Sequence, residues 1–342
     1  MLGVRVPKGS AEAIRLKLTR SNLVDKRFLI IEEDGFVIIP VLQEPDERLL
    51  ADHCAQMTSL DFPTGKSRVD PIETIRKDAE VPDTLRGLLP DKWEQFGDVV
   101  VIRLPKALDG HESSVGDIYA RVLGVKAVLR DTGGVTGMFR MPIVKTIHGS
   151  DTVTIHKENG ILYKFDAARL MFSSGNVEER LRMSEIMCNG ETIVDMFAGI
   201  GYFSLPLAVN QLPKKVISCE MNEISYSYLL ENVRLNDVEG VVEPILGDNR
   251  ELPGDAFADR VIMGYVKTTH EFLPTAMRLV KDGGMIHYHE TCPNELLPGR
   301  PVQRLRSAAR NHRVEVLRFK EIKSYSPGVS HVVLDARVVK SF

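Results

Sequence analysis

The stretch Thr192-Ile193-Val194-Asp195-Met196-Phe197-Ala198-Gly199-Ile200-Gly201-Tyr202-Phe203 decides the fold. It reads as a short apolar strand, an acid at the strand's end, and a glycine turn that opens a helix. Gly199 and Gly201 let the backbone approach a ligand without a Cβ in the way. An open α/β sheet binds its ligand at the carboxyl ends of its strands. Asp195, at such an end, suits a ligand amine or hydroxyl better than a phosphate. A dinucleotide fingerprint needs a third glycine, and Phe203-Ser204 stands in its place. No Gly-Lys-Ser/Thr follows, so a phosphate loop is excluded as well. The plain alternative is a glycine turn that serves only strand–helix packing.

What remains is the first motif of an S-adenosylmethionine-dependent transferase. Lys215 to Glu220 is a second strand ending in an acid, about twenty residues beyond the turn, where a carboxylate accepts ribose hydroxyls. Val241 to Leu246 is a third, followed by Gly247-Asp248-Asn249. Asp248 is placed to accept from an adenine amino group, and Asn249 to assist or to cap the next helix. Asp259 to Gly264 and Gly284 to Glu290 are the fourth and fifth strands, with helical patterns such as Ile224 to Asn236 between them. Strand–helix alternation predicts a parallel sheet with helices on both faces. After a helix near Pro301 to Asn311, Val314 to Ile322 and His331 to Val339 read as a closing hairpin.

The 342 residues suggest two or three domains. With 43% hydrophobic and 27% charged residues, the composition is that of a soluble globular protein. No apolar run approaches the ~20 residues of a membrane span, and the N-terminus lacks a signal-peptide core. Cys54, Cys188, Cys219 and Cys292 are far apart, so free thiols in a reducing cytoplasm are expected rather than disulfides or a zinc knuckle. The net charge of −3 hides a segregation. Residues 300–342 carry +7, 171–299 carry −9 and 114–150 carry +3. A basic face binds phosphates whatever the sign of the total. Arg306 and Arg310, with Arg300, Arg304 and Arg313, are therefore candidates for phosphate contacts, an ordinary solvated helix being the alternative.

Upstream, Ser10 to Arg20 reads as a helix, and Phe28 to Val41 as a hairpin with an Asp-Gly turn. The expected organisation is a small α/β domain over 1–60, a linker over 61–90, a second α/β domain over 91–168, and a catalytic domain over 169–342. The stretch from Gln43 to Pro90 is polar and proline-bearing, with flexibility expected around Asp61-Phe62-Pro63-Thr64-Gly65. In the connector Arg169 to Arg180, Ser173, Ser174 and Asn176 offer polar groups around Gly175. Arg180 follows one turn into a helix. Its fork matches a carboxylate, such as that of the cofactor's methionine part; the alternative is a surface ion pair.

The chain resembles the archaeal tRNA wybutosine-synthesising protein two family. The matching motifs are Met171-Phe172-Ser173-Ser174-Gly175-Asn176 with Glu179-Arg180, Asp195 to Phe203, Asp248-Asn249-Arg250, Asp259 to Val266, Ile286 to Glu290, and Tyr325 to Asp335. The likeness is continuous from about Asp98 to the end. Residues 1–60 look more like the first domain of the sister tRNA guanine-37 N1-methyltransferases. The resemblance implies a class I, Rossmann-like S-adenosylmethionine-dependent fold with a mostly parallel seven-stranded sheet and small N-terminal α/β domains. It implies transfer of the 3-amino-3-carboxypropyl group to C7 of 4-demethylwyosine at position 37 of tRNA-Phe, releasing methylthioadenosine. Ser173, Arg180, Glu220, Asp248 and Asn249 would be cofactor contacts. The partner would be the tRNA-Phe anticodon region, with no metal, no membrane and no obligate protein partner.

One stretch separates the two sister activities. The methyltransferases carry an Asn-x-Pro-type motif at the fourth strand's end, and here Gly264-Tyr265-Val266-Lys267 stands instead. Gly264 is expected to leave room for a tricyclic base and Tyr265 to stack on it. Choice of group is a matter of orientation: the γ-carbon rather than the methyl must face the nucleophile. No general base is identified. His287 and His289, two apart on one strand, are candidates beside Tyr265, with a structural role as the alternative. The competing functional readings are the guanine-37 N1-methyltransferase and a non-catalytic tRNA-binding protein.

Overall fold

The computed structural model describes residues 1–63, 70–310 and 312–340. The chain divides into two compact units, Met1–Thr74 and Ile75–Phe342. The first unit contains β1 (Leu2–Pro7), α1 (Lys8–Arg20), β2 (Ile31–Glu33), β3 (Phe36–Pro40), α2 (Glu47–Ala51) and β4 (Gln56–Ser59). Its antiparallel sheet runs β2-β3-β1-β4. Asp34 and Gly35 both take positive φ (49° and 80°), the geometry that turns two strands tightly back on each other. Val4, Val6 and Ile39 pack against Ile14 and Leu18 of α1.

The flexibility expected around 61–65 is not what residues 61–63 show. Leu60 N–H donates to Met1 O at 3.1 Å and Leu29 N–H to Pro63 O at 2.9 Å, while Phe62 is buried. Phe62 fills the space over Gly3, where a Cβ would lie 2.5 Å from its ring. Thr64 and Gly65 lie outside the described residues. The stretch read as a polar linker carries α3 (Pro71–Asp78) and α4 (Asp83–Arg86). Ile75, Ala79, Val81 and Leu89 are buried there, one apolar position among several charges each time, which a composition reading averages away.

Next come β5 (Trp93–Phe96), β6 (Val99–Ile102), α5 (Glu112–Leu123), β7 (Ala127–Thr136) and β8 (Met141–His148), whose strands form the sheet β5-β6-β7-β8. β9 (Val153–Glu158) and β10 (Ile161–Asp166) make a separate hairpin. The backbone edge of β10 is satisfied by side chains. Asn236 Oδ1 and Nδ2 bond the N–H and C=O of Leu162, and Asn232 does the same for Lys164, at 2.7 to 3.1 Å. Phe96, Val99 and Leu129 share one core cluster with Phe165, Phe172, Ile193 and Ile200, so apolar packing runs across residue 168 without a break.

The remainder is α6 (Val177–Glu185), β11 (Thr192–Asp195), α7 (Ser204–Asn210), β12 (Lys215–Glu220), α8 (Glu223–Leu235), β13 (Val242–Leu246), β14 (Ala258–Met263), α9 (Leu273–Leu279), β15 (Val280–Pro293), α10 (Gly299–Ala309), β16 (Arg313–Ser326) and β17 (Val329–Val339). The seven-stranded sheet runs β13-β12-β11-β14-β15-β17-β16. β11 to β15 are parallel, and β17 enters antiparallel between β15 and β16. β17 is buried almost throughout, as a strand covered on both faces must be, and β16 takes the edge. The chain leaves β11 toward β12 and β13, then returns to place β14 on the other side. The crevice at that reversal is where an open sheet binds its ligand.

Candidate active site

Four parallel strand ends build the crevice. After β11 the turn needs its glycines: Gly199 has φ +57° and Gly201 φ +100°. A Cβ would lie 2.6 Å from Tyr202 Cε2 at the first and 2.6 Å from Leu205 Cγ at the second. The turn is tied to β12 by Glu220, whose Oε2 accepts from Gly199 N–H and whose Oε1 accepts from Asn222 N–H, both at 2.7 Å. Burial raises the Glu220 pKa against those two bonds. Beyond β13, Asn249 Nδ2 donates to Met196 O at 2.8 Å, leaving its Oδ1 buried without a partner among the described residues. Beyond β14 stand Gly264 and Tyr265. They border a cavity of about 380 Å³, also lined by Ser173, Arg180, Gly199, Glu220 and Asn249, a volume in the range of small-molecule sites.

Several expected residues sit differently. Asp195 does not line the cavity. It is fully buried beneath the turn, accepting from Ser204 Oγ at 2.8 Å and Phe197 N–H at 3.3 Å, and burial pushes its pKa up to about 6. Its part is to hold the turn rather than to meet a ligand amine or hydroxyl. Gly201 does not line the cavity either. Asp248 caps the following turn and binds Arg250, so the oxygens expected to meet adenine face that guanidinium. Arg180 does reach the cavity, but its fork is filled. Nε and Nη2 donate to the two oxygens of Glu158 at 2.6 and 2.8 Å, in a pair that is buried rather than at the surface.

The room expected at Gly264 is taken. A Cβ there would lie 2.6 Å from Phe203 Cε2, so the glycine admits a protein ring and not a larger base. Tyr265 stacks on Phe197, with ring centroids 5.2 Å apart and planes at 20°, and donates its hydroxyl to Met138 O at 3.3 Å. His287 is ruled out as a base by its surroundings. It is buried off the cavity, and both ring nitrogens are engaged, with Asp335 Oδ1 at 2.5 Å and Arg260 Nη1 at 2.7 Å. His289 is buried too, stacked on Phe203 behind the wall. On α10, Arg300 and Arg304 are committed to Glu290, whereas Arg306, and Arg310 just past the helix end, are exposed.

Three cavity residues, Lys323, Arg140 and His331, were not singled out from the sequence. Lys323 of β16 donates to Ser173 Oγ at 2.7 Å. Among the described residues, Arg140, on the β7–β8 turn, has Nη1 buried without a partner and only Met171 Sδ, 3.5 Å away, on Nη2. Asn176, which the connector had already pointed to, lines the cavity with its Oδ1 buried and unpartnered among the described residues. His331 of β17 faces Lys323 across the β16–β17 register. Burial and the Arg140 and Arg180 guanidiniums lower the Lys323 pKa. Three cations thus lie close together in the cavity wall, one of them paired with Glu158. The available signal was the basic C-terminal end; its inward direction came only with the hairpin's register.

This sheet order, with a glycine turn after the first strand and a buried carboxylate after the second, defines a class I S-adenosylmethionine-dependent transferase. Residues 154–317 match the TRM5/TYW2 methyltransferase domain, residues 74–152 the TYW2 N-terminal domain, and residues 3–50 the tRNA methyltransferase 5 N-terminal domain. The chain belongs to the TRM5/TYW2 family. It is 46% identical over 264 residues to the Pyrococcus horikoshii tRNA(Phe) (4-demethylwyosine(37)-C(7)) aminocarboxypropyltransferase, covering 77% of this chain and 94% of that one. It is 34% identical to the Pyrococcus abyssi tRNA (guanine(37)-N(1))-methyltransferase Trm5b, over 98% and 99% of the two. Among solved structures, P. horikoshii TYW2 in complex with MeSAdo matches with TM-score 0.72 and 44% identity, over 79% of this chain and 100% of that one. No helix among the described residues is long and apolar enough to cross a membrane.

Proposed function

We propose that this protein transfers the 3-amino-3-carboxypropyl group of S-adenosylmethionine to C7 of 4-demethylwyosine at position 37 of tRNA-Phe, in the anticodon region, and releases methylthioadenosine. The observation that carries the choice over methyl transfer is the end of β14. Gly264-Tyr265-Val266 offers neither a side-chain amide nor a proline to hold a guanine edge, and Tyr265 instead extends a stacking surface begun by Phe197.

Each residue then has a definable task. Glu220 oxygens each keep a lone pair beyond the bond to a backbone N–H, so the carboxylate accepts ribose hydroxyls while holding the turn. Asn249 Oδ1 accepts from the adenine amino group, Asp248 supporting that loop. Lys323 and Arg140 meet the methionine carboxylate, with Ser173 and the outer edge of Arg180 beside them. Anchoring that end turns the γ-carbon, not the methyl, toward the base, which is catalysis by placement. The regions 1–60 and 91–168 are assigned as tRNA-facing domains, and Arg306 and Arg310 as phosphate contacts. Work on tRNA with four free cysteines fits the cytoplasm.

The full-length match to Trm5b favours the guanine-37 methyltransferase as the second reading. One experiment separates them. Carboxyl-labelled S-adenosylmethionine should label precursor tRNA-Phe and methyl-labelled cofactor should not. Recovery of S-adenosylhomocysteine and N1-methylguanosine from unmodified tRNA would promote the methyltransferase.

A further inference from the structure

Carbon alkylation of the base leaves a proton to be removed, and neither His287 nor His289 faces the cavity. His331 does. Its Nε2 lies 3.1 Å from His289 Nδ1, the one hydrogen bond its ring makes among the described residues. Behind it, His289 Nε2 lies 3.5 Å from Glu179 Oε1, too far for a hydrogen bond but within reach of a charge. Glu179 is itself fully buried and held by Arg182 at 2.9 Å. A line of His331, His289 and Glu179 therefore leads from the cavity into the protein and ends in a carboxylate.

We propose that His331 is the proton acceptor for the ring carbon, with His289 and Glu179 as its positioning residues. The assignment rests on the aminocarboxypropyl-transfer reading. The base's C7 electron pair forms the bond to the γ-carbon while the C–S bond breaks, its pair staying on sulfur as the thioether. The ring is left cationic with a tetrahedral C7–H. His331 Nδ1 takes that proton, and the C–H pair returns to the ring. With Nε2–H directed at His289 Nδ1, the imidazolium charge is spread toward Glu179.

Other cavity groups serve less well. Lys323 is committed as a donor to Ser173, Tyr265 to Met138 O, and Glu271 is exposed beside Arg250. Burial, His289, Lys323 and Arg140 hold the His331 pKa down to about 3, so the ring stays neutral and ready to accept. A cationic ring carbon is acidic enough to protonate so weak a base. The cofactor's carboxylate on Lys323 and Arg140 also offsets the positive charges that oppose it.

The test uses full-length protein, precursor tRNA-Phe with and without deuterium at C7, and carboxyl-labelled S-adenosylmethionine. His331→Asn and His331→Gln should bind the cofactor with wild-type affinity by calorimetry, yet transfer about 100-fold more slowly in single turnover. Proton loss should become rate-limiting, so a primary isotope effect should emerge that is absent in the wild type. In His331→Ala, added imidazole should restore part of the rate. Variants as fast as wild type, slow variants without an isotope effect, or variants that lose cofactor binding would overturn the assignment alone. A wild type that transfers no carboxyl label would overturn the functional reading and this assignment with it.

Discussion

Lys323→Met tests how the group to be transferred is chosen. The amine is half-buried and 2.7 Å from Ser173 Oγ, beside the cations Arg140 and Arg180. If it holds the cofactor's carboxylate, the variant loses one hydrogen bond between charged groups, about 1.5–3 kcal/mol. At about 1.4 kcal/mol per tenfold, that weakens S-adenosylmethionine binding roughly 10- to 150-fold. Methylthioadenosine has no carboxylate, so its affinity should be unchanged; titration of both ligands by calorimetry reads the difference directly. Folding should not suffer, because the native amine is already penalised by burial. It releases its proton at lower pH than the unfolded chain does, so wild-type stability rises as pH climbs through that window toward the ordinary lysine value. The variant should lack the rise. Equal weakening of both ligands, or of neither, would refute the carboxylate anchor.

Glu158→Gln strands the buried Arg180 guanidinium, and removing one partner of such a pair costs about 3–5 kcal/mol; urea denaturation should show it, and Arg180→Leu in the same chain should recover part. Asp195 has a raised native pKa, so the native state holds its proton longer and stability falls as pH rises from about 4 to about 6. Asp195→Asn should flatten that fall, gaining roughly 2–3 kcal/mol relative to wild type between pH 4 and pH 7 in paired denaturation series. Arg306→Gln with Arg310→Gln should weaken tRNA binding and reduce the log–log salt slope by roughly 1.5, since each phosphate contributes about 0.7–0.9. Cofactor affinity should stay put, and an unchanged slope would return α10 to an ordinary solvated helix.

The parts of this architecture that repeat with a fixed period, or sit at a fixed offset from the glycine turn, could be read before folding. The five parallel strands, Glu220 and the C-terminal hairpin are of that kind. Direction could not. Asp195 and Glu220 both end apolar strands, yet one turns under the loop to Ser204 and the other borders the cavity. The partner of Arg180 lies 22 residues away on a hairpin that nothing in the local pattern links to it. Lys323 and His331 become neighbours only through the β16–β17 register, and they reach the crevice only because β17 inserts beside β15. The helices between 71 and 86 were hidden because a few buried positions among many charges leave no composition signal.

The β9–β10 hairpin has a consequence for how such proteins can be recombined. It supplies Glu158 to Arg180, and Asn232 of α8 with Asn236 at that helix's end clamps β10. A chimera joined after β10 would leave a guanidinium uncompensated and two amides reaching for a strand that had gone. The tolerant seam lies earlier, in the loop after β8, between the segments 74–152 and 154–317 that match separate families. Swapped there, the hairpin would travel with the transferase it supports. A front end exchanged at that loop would still have to rebuild the apolar contacts of Phe96, Val99 and Leu129. Modularity in this lineage is therefore expected to be limited by side-chain fit across the seam rather than by backbone continuity.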